Sequence, residues 1–260
     1  MDNTDSIRLI SIYRKRARRY DWTTLLLYVA GFRHWAYRKR AIESLALKQG
    51  DTVVELGCGT GLNFSLLQEQ VGPGGKIVGV DLTDAMLDGA SARIAATGWS
   101  NVELVRSDAA DYVFPAKVDG ILSTFALTLV PEFDEVVRKG AAALSPAKRF
   151  VLLDFKRPTG WFMDKAAPVL AALLTGPFGG TIEMASRKPW LSMEKHLSLI
   201  QFTNLYLGGA YIAVARKVPF HYLSSMVNGR WMGGGMWIWT VNRRIVIVLL
   251  AVVINKVAKR

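Results

Sequence analysis

Short apolar runs alternate with longer amphipathic segments between residues 50 and 217 of this 260-residue chain. Apolar runs that end at polar or glycine positions predict buried strands. Five such strands are predicted, at 51–56, 76–80, 102–106, 120–124 and 150–155. Helices are predicted between them, at 62–71, 85–97 and 134–143. This alternation indicates an α/β domain with a doubly wound, mostly parallel sheet.

Two more strands are predicted late in the chain, at 197–205 and 210–215. Gly208 and Gly209 lie between them, and a short glycine-containing connection between two apolar runs is typical of a β-hairpin. The predicted sheet therefore has seven strands and ends in an antiparallel hairpin.

The charge of the chain is concentrated at its two ends. The formal net charge is +12, yet residues 51–217 carry 16 Lys/Arg and 17 Asp/Glu. Residues 1–50 carry 11 Lys/Arg against 4 Asp/Glu, and residues 218–260 carry 6 Lys/Arg and no acid. Tryptophans are interleaved with this charge, at positions 22, 35, 231, 237 and 239. Basic, aromatic and aliphatic residues together are typical of segments that lie on an anionic membrane surface.

Composition also excludes several classes of protein. A hydrophobic content of 51% excludes wholesale disorder, and the single cysteine, Cys58, excludes a disulfide framework. The first twenty residues lack the apolar run of a signal peptide, so export is not expected. The apolar run at 245–254 is too short for a membrane-spanning helix, which needs about twenty residues. We expect that run to lie at an interface, with a core strand as the alternative. The three histidines are scattered, so no metal site is predicted.

Candidate chemistry lies at the ends of the first three predicted strands. The first strand leads into Glu55-Leu-Gly57-Cys-Gly59-Thr-Gly61, a loop whose glycines allow the close approach of a ligand. Asp81 follows the second strand, where a carboxylate can accept both hydroxyls of a ribose. Asp108 follows the third strand, where it can meet an adenine amino group. Ligands bind such sheets at the carboxyl ends of the strands, so the three features predict one nucleotide-type site.

The segments 54–61, 79–82 and 107–109 resemble the first three cofactor motifs of class I S-adenosylmethionine-dependent methyltransferases. The resemblance covers residues 50–217 and implies that family's Rossmann-like fold. It also implies S-adenosylmethionine as the cofactor and a methyltransferase activity. The cofactor-binding residues that it implies are Glu55, Gly57, Gly59, Gly61, Asp81, Leu82, Met86, Asp108, Ala109 and Ser123. One departure is Ser145-Pro-Ala-Lys148, where the family usually carries a Pro-Gly-Gly turn.

The basic segment before the glycine loop is similar to two lipid-directed branches of the family. It contains Arg19-Tyr-Asp-Trp22 and the Arg-rich stretch 31–40. One branch is the bacterial phosphatidylethanolamine and betaine-lipid N-methyltransferases, and the other is the ubiquinone/menaquinone C-methyltransferases. We expect N-methylation of a lipid amine, with quinone C-methylation as the alternative and RNA methylation as a weaker one.

The resemblance also suggests which residues act on the substrate. Tyr20 and Asp21 are the predicted catalytic residues, because a hydroxyl and a carboxylate can orient an amine. Arg187, His196, Tyr206 and Tyr211 are the predicted substrate-binding residues. The expected partners are a lipid substrate and an anionic membrane surface, with no nucleic acid. The expected location is cytoplasmic, on the inner membrane surface.

These assignments divide the chain into three parts. Residues 1–48 are predicted to form a basic aromatic helical cap, and residues 49–217 the cofactor-binding domain. Residues 218–260 are predicted to form a basic apolar extension.

Overall fold

A computed structural model describes residues 11, 14, 31–157, 184, 186–218, 228–232, 236–241 and 244–249. The chain divides into two compact units, residues 1–217 and 218–260.

A seven-stranded sheet forms the first unit. Its strands are β1 (Thr52–Leu56), β2 (Lys76–Asp81), β3 (Val102–Arg106), β4 (Val118–Thr124), β5 (Leu144–Phe155), β6 (Ser198–Leu205) and β7 (Ala210–Arg216). Their order across the sheet is β3-β2-β1-β4-β5-β7-β6. The first five pair in parallel, while β7 is antiparallel to both β5 and β6. The predicted fold class is therefore confirmed, terminal hairpin included.

Helices cover both faces of this sheet. They are α1 (His34–Glu43), α2 (Phe64–Val71), α3 (Asp84–Thr97), α4 (Phe133–Ala143) and α5 (Pro189–His196). One apolar core contains residues of α1 and α2, and the other contains residues of α4. Because β1 and β4 are covered on both sides, their residues are almost all buried.

The start of β5 departs from the sequence prediction, which placed the strand at 150. Leu144 and Arg149 also pair with β4, and residues 145–148 lie between them in an irregularity of the register. Ala147 there has φ of 65°, in the left-handed region that favours glycine. Ala147 belongs to the segment 145–148, where class I methyltransferases usually carry a Pro-Gly-Gly turn. This chain therefore has a strained alanine in place of a glycine in that turn.

The second unit contains a three-stranded antiparallel sheet. Its strands are β8 (Asn228–Met232), β9 (Met236–Val241) and β10 (Arg244–Leu249), with β9 in the middle. Strand β10 includes residues 245–249, the first half of the apolar run at 245–254. Residues 250–254 lie outside the described residues. In the described part of the chain, no helix combines the length and the apolar character needed to cross a membrane.

Candidate active site

An open cleft lies at the carboxyl ends of the parallel strands. It is lined by the glycine loop after β1, by the ends of β2 and β3, by Ser123 and Thr124 at the end of β4, and by apolar residues between 125 and 131 that follow β4. Eight of the predicted cofactor-binding residues line it: Gly57, Gly59, Asp81, Leu82, Met86, Asp108, Ala109 and Ser123. The topology therefore brings these residues into one site.

The glycine loop follows β1 in a conformation that other residues rarely adopt. Gly57, Gly59 and Gly61 all have positive φ, at 69°, 56° and 74°. A Cβ atom on Gly57 would lie 2.3 Å from the Cβ atom of Ala126, so the loop packs tightly against the chain after β4. A Cβ atom on Gly59 would meet nothing within 4 Å, because this residue faces the cleft. Space at Gly59 is therefore available to a ligand.

Asp81 is fixed by the backbone on both sides of its carboxylate. Gly59 N–H donates to Oδ2 and Thr83 N–H donates to Oδ1, each at 2.9 Å. Burial raises the pKa of the Asp81 carboxyl, while these hydrogen bonds act against the rise. Asp81 lines the cleft, and its carboxylate can accept the hydroxyls of a ribose.

Asp108 is held in a similar way at the end of β3. Its Oδ1 accepts the N–H of Ala110 at 2.9 Å, and its backbone carbonyl accepts the hydroxyl of Ser107. The buried side chain of Met86 lines the same part of the cleft. An acidic group beside an apolar surface suits an adenine ring with an exocyclic amine.

Ser123 supplies an unused polar group in the wall of the cleft. Its Oγ is buried and has no hydrogen-bond partner among the described residues. A buried hydroxyl without a partner is costly, so a bound molecule is expected to satisfy it. With the open space at Gly59 and the two aspartates, this hydroxyl makes the cleft fit S-adenosylmethionine.

Glu55 lies beneath the loop and does not line the cleft. It is only 1% exposed, and its Oε1 accepts a short hydrogen bond from the side-chain amide of Asn63. Burial raises the pKa of the Glu55 carboxyl to about 8, against the opposing effects of Asn63 and Arg38. Its other oxygen, Oε2, has no hydrogen-bond partner within the part of the chain that the structure describes.

Arg38, Asn63 and Thr124 form a buried polar group with Glu55 that the sequence analysis missed. Arg38 Nη1 donates to Asn63 Oδ1 at 3.0 Å and to Thr124 Oγ1 at 2.7 Å. The Arg38 guanidinium also lies 5.3 Å from the centre of the Phe125 ring. In the sequence, Arg38 is one of several bases in a charged stretch, and nothing local distinguishes it from its solvent-facing neighbours.

The far wall of the cleft is apolar. It consists of Phe125, Ala126, Leu127, Leu129, Val130 and Pro131. Phe125 has φ of 57°, a strained conformation of the kind that clusters at functional sites. Residues Leu127–Leu129 form a 3-10 turn, and the carboxylate of Asp154 accepts both the N–H and the hydroxyl of Thr128 in this turn. Burial raises the pKa of the Asp154 carboxyl to about 6. Asp154 therefore anchors the wall from β5.

The predicted substrate-binding residues lie outside the lining of this cleft. Arg187 Nη1 donates to the carbonyls of Thr128 and Leu129, so it holds the outer side of the 3-10 turn. His196 Nε2 lies 3.3 Å from a carboxylate oxygen of Asp134. Arg187 and His196 thus contact different parts of the protein, and the structure does not bring them together as the two sides of one phosphate-binding site.

The two tyrosines predicted to bind substrate are packed in separate aromatic clusters. Tyr206 contacts the ring of Phe32, and Tyr211 is fully buried against Trp190 and Phe202. The predicted catalytic residues, Tyr20 and Asp21, lie outside the described residues. No group of three or more metal-ligating side chains occurs in the part of the chain that is described.

Comparison with known proteins identifies relatives of this chain. Residues 1–189 match the ubiE/COQ5 methyltransferase family. The chain is 30% identical over 161 residues to the ubiquinone/menaquinone biosynthesis C-methyltransferase UbiE of Pseudomonas putida strain W619. UbiE of Pseudomonas fluorescens strain Pf0-1 has the same identity over the same length. Each match covers 61% of this chain and 62% of the relative, so the chain spans less than two thirds of the length of these relatives.

Solved structures of low sequence identity share the fold. A SAM-dependent methyltransferase from Aquifex aeolicus superposes with a TM-score of 0.55 at 19% identity, covering 70% of this chain and 89% of that one. Geranyl diphosphate C-methyltransferase from Streptomyces coelicolor superposes with a TM-score of 0.58 at 16% identity, covering 70% and 79%. At these identities the likeness concerns the fold alone.

Proposed function

Because the chain belongs to the ubiE/COQ5 methyltransferase family, we propose that it transfers a methyl group from S-adenosylmethionine to a ring carbon of a quinone precursor. Membership confirms the predicted resemblance to class I methyltransferases and S-adenosylmethionine as the cofactor. It also favours the C-methylation alternative over the lipid N-methylation that the sequence analysis expected.

The observation that carries this proposal is the uneven polarity of the cleft. Its acidic lining residues, Asp81 and Asp108, both belong to the end that suits ribose and adenine. The lining residues that follow β4 are all apolar: Phe125, Ala126, Leu127, Leu129, Val130 and Pro131. A quaternary or protonated amine there would meet no counter-charge among the described lining residues, whereas an aromatic ring with an apolar tail would be accommodated. This difference favours a ring carbon as the methyl acceptor.

Chain residues would position the reactants and keep water from them. When bound, S-adenosylmethionine supplies an electrophilic methyl group, which the ring carbon takes with its own electron pair while the methyl–sulfur bond breaks and a ring proton is lost. Asp81 and Asp108 would hold the nucleoside, and Phe125 and Leu127 would shield the reacting atoms. Positioning of this kind accounts for much of the rate of a displacement reaction. Tyr20 and Asp21 remain the proposed catalytic residues. Glu55 and Gly61 do not line the cleft, and they would help to hold the conformation of the cofactor-binding loop.

A panel of acceptors tests the proposed function. With a labelled methyl group on the cofactor, we expect label in a demethyl quinol that carries hydrogen at the accepting ring carbon. The matched control is the same quinol already methylated at that carbon, which should take up no label. Label in phosphatidylethanolamine, with none in the quinol, would refute quinone C-methylation and support lipid N-methylation.

We further propose that the protein reaches its acceptor at the surface of an anionic membrane. On α1, Trp35 is 42% exposed, and Lys39, one helical turn later on the same side, is also exposed. An exposed tryptophan beside a cation suits a lipid–water interface, where the indole enters the headgroup region. This face supports the expectation of a peripheral location on the inner membrane.

Removal of one aromatic and one basic side chain from this face should weaken vesicle binding. We expect Trp35→Ala with Lys39→Gln to lower partitioning onto phosphatidylserine vesicles at least fivefold, since each base contributes about 1 kcal/mol. Val113→Ala with Lys117→Gln removes an exposed apolar and an exposed basic residue elsewhere, and should change partitioning less than twofold. Equal partitioning of both variants and the wild type in a sedimentation assay would refute this surface.

A further inference from the structure

Thr124 occupies the last position of β4, at the point where the wall of the cleft begins. It is 4% exposed and lines the cleft beside Phe125. Its Oγ1 accepts two hydrogen bonds, from Arg38 Nη1 at 2.7 Å and from Asn63 Nδ2 at 2.9 Å. Both lone pairs of the hydroxyl are therefore occupied, and only its proton remains for another partner.

The direction of these hydrogen bonds is set by Arg38. A guanidinium can only donate, so the side-chain oxygen of Asn63 must face Arg38 and its NH₂ group must face Thr124 and Glu55. Arg38 is 4% exposed, and because its guanidinium offers only donors, the direction of these hydrogen bonds is fixed. Thr124 is consequently held as a donor.

Among the described residues, Thr124 Oγ1 accepts hydrogen bonds and donates none. Glu55 Oε2, a buried acceptor in the same group, also has no hydrogen-bond partner in the described part of the chain. A buried donor without an acceptor is costly. We therefore expect a molecule bound in the cleft to supply the acceptor for the Thr124 hydroxyl. That partner must be an acceptor atom, most favourably an oxygen that carries negative charge.

We propose that the Thr124 hydroxyl donates a hydrogen bond to a ring oxygen of the methyl acceptor, and that Arg38 is the positioning residue that keeps it a donor. This inference rests on the proposed function, because a quinol carries the required oxygen next to the accepting carbon. Thr124 adjoins the apolar wall that follows β4, so we assign its partner to the acceptor. The alternative source of the accepting oxygen is the cofactor, and the cofactor affinity of the Thr124 variants distinguishes the two.

Such a hydrogen bond would also assist the transfer. A donor beside the ring oxygen stabilises its phenolate form, whose electron pair makes the neighbouring ring carbon nucleophilic. That carbon forms the new bond to the methyl group, and the electron pair of the broken methyl–sulfur bond stays on sulfur. The ring then loses the proton of the methylated carbon to solvent and regains its aromaticity.

Two substitutions at Thr124 distinguish the effect of the hydroxyl on activity from the effect of the side-chain shape. Thr124→Val removes the hydroxyl with little change in volume, and Thr124→Ser keeps it. We expect Thr124→Val to lower kcat/KM for the quinol at least tenfold while calorimetry gives a cofactor Kd within twofold of wild type. Thr124→Ser should stay within threefold of wild type for both quantities. An unchanged kcat/KM in Thr124→Val, or a loss confined to cofactor affinity, would overturn the proposal.

A double-mutant cycle tests the role of Arg38. Arg38→Lys keeps the buried charge but not the guanidinium geometry, and thermal unfolding would first show that it folds. If Arg38 acts through Thr124, Arg38→Lys with Thr124→Val should reduce kcat/KM no further than Thr124→Val alone. Fully additive losses would show that Arg38 does not act through Thr124.

A readout without turnover keeps this inference separate from the proposed function. A nitrophenol absorbs visible light when ionised, so its pKa can be measured while bound to the protein with S-adenosylhomocysteine. A donating Thr124 should make the bound pKa at least one unit lower in the wild type than in Thr124→Val. Equal pKa values in the wild type and Thr124→Val would refute the donor role of Thr124, even if the quinol is methylated. A lower pKa in the wild type without quinol methylation would support the donor role of Thr124 and refute the quinol as the methyl acceptor.

Discussion

Replacement of Asp81 by Asn should lower the affinity for S-adenosylmethionine at least about 100-fold, because each charged hydrogen bond to the ribose contributes about 1.5–3 kcal/mol. The carboxylate is oriented for this role before any ligand arrives, since Gly59 and Thr83 donate to its two oxygens. An asparagine in its place would set an NH₂ group against one of these N–H donors. Titration calorimetry measures the effect directly.

Asp88 provides the matched control for this substitution. It is exposed on α3, seven residues beyond Asp81, and does not line the cleft. Asp88→Asn makes the same chemical change and should leave the cofactor Kd within twofold of wild type. If Asp81→Asn also binds within twofold, the ribose assignment is wrong.

Replacement of Gly59 by Ala should abolish cofactor binding with only a modest loss of stability. The added Cβ atom would contact no protein atom within 4 Å, but it would point into the cleft where the ligand approaches. The positive φ of 56° adds a cost of about 1–2 kcal/mol to the folded state.

Gly98→Ala is the control that measures the loss of stability caused by the positive φ alone. Gly98 has φ of 71° and open space around its Cβ position, but it ends α3 and does not line the cleft. Gly98→Ala should destabilise the protein about as much as Gly59→Ala does, by about 1–2 kcal/mol in denaturant unfolding, without any change in cofactor Kd. Binding by Gly59→Ala at wild-type affinity would show that the ligand does not pass close to this residue.

The strands and the cofactor end of the cleft could be predicted because their signals are local. Each parallel strand is a short apolar run, and β3 has the predicted bounds, 102–106. Asp81 and Asp108 follow their strands directly, and a parallel sheet places the ends of its strands on one edge. Chain order alone was therefore enough to bring them together.

The buried polar group around Arg38 could not be predicted in this way. Its contacts join residues 25 and 86 positions apart, and the local sequence of Arg38 is that of a solvated basic helix. The same limit applies to Tyr211, which the register of the terminal hairpin places opposite Asp154 and under the rings of Trp190 and Phe202. Long-range packing determines which of these polar side chains are buried.

The identity of the atom that receives the methyl group tests the central claim most directly. The protein would be incubated with S-adenosylmethionine carrying a carbon-13 methyl group, a demethyl quinol and phosphatidylethanolamine vesicles, and the products would be analysed by NMR. We predict that the labelled methyl carbon is bonded to a ring carbon of the quinol. A label bonded to the nitrogen of the lipid headgroup, with none in the quinol, would contradict the account.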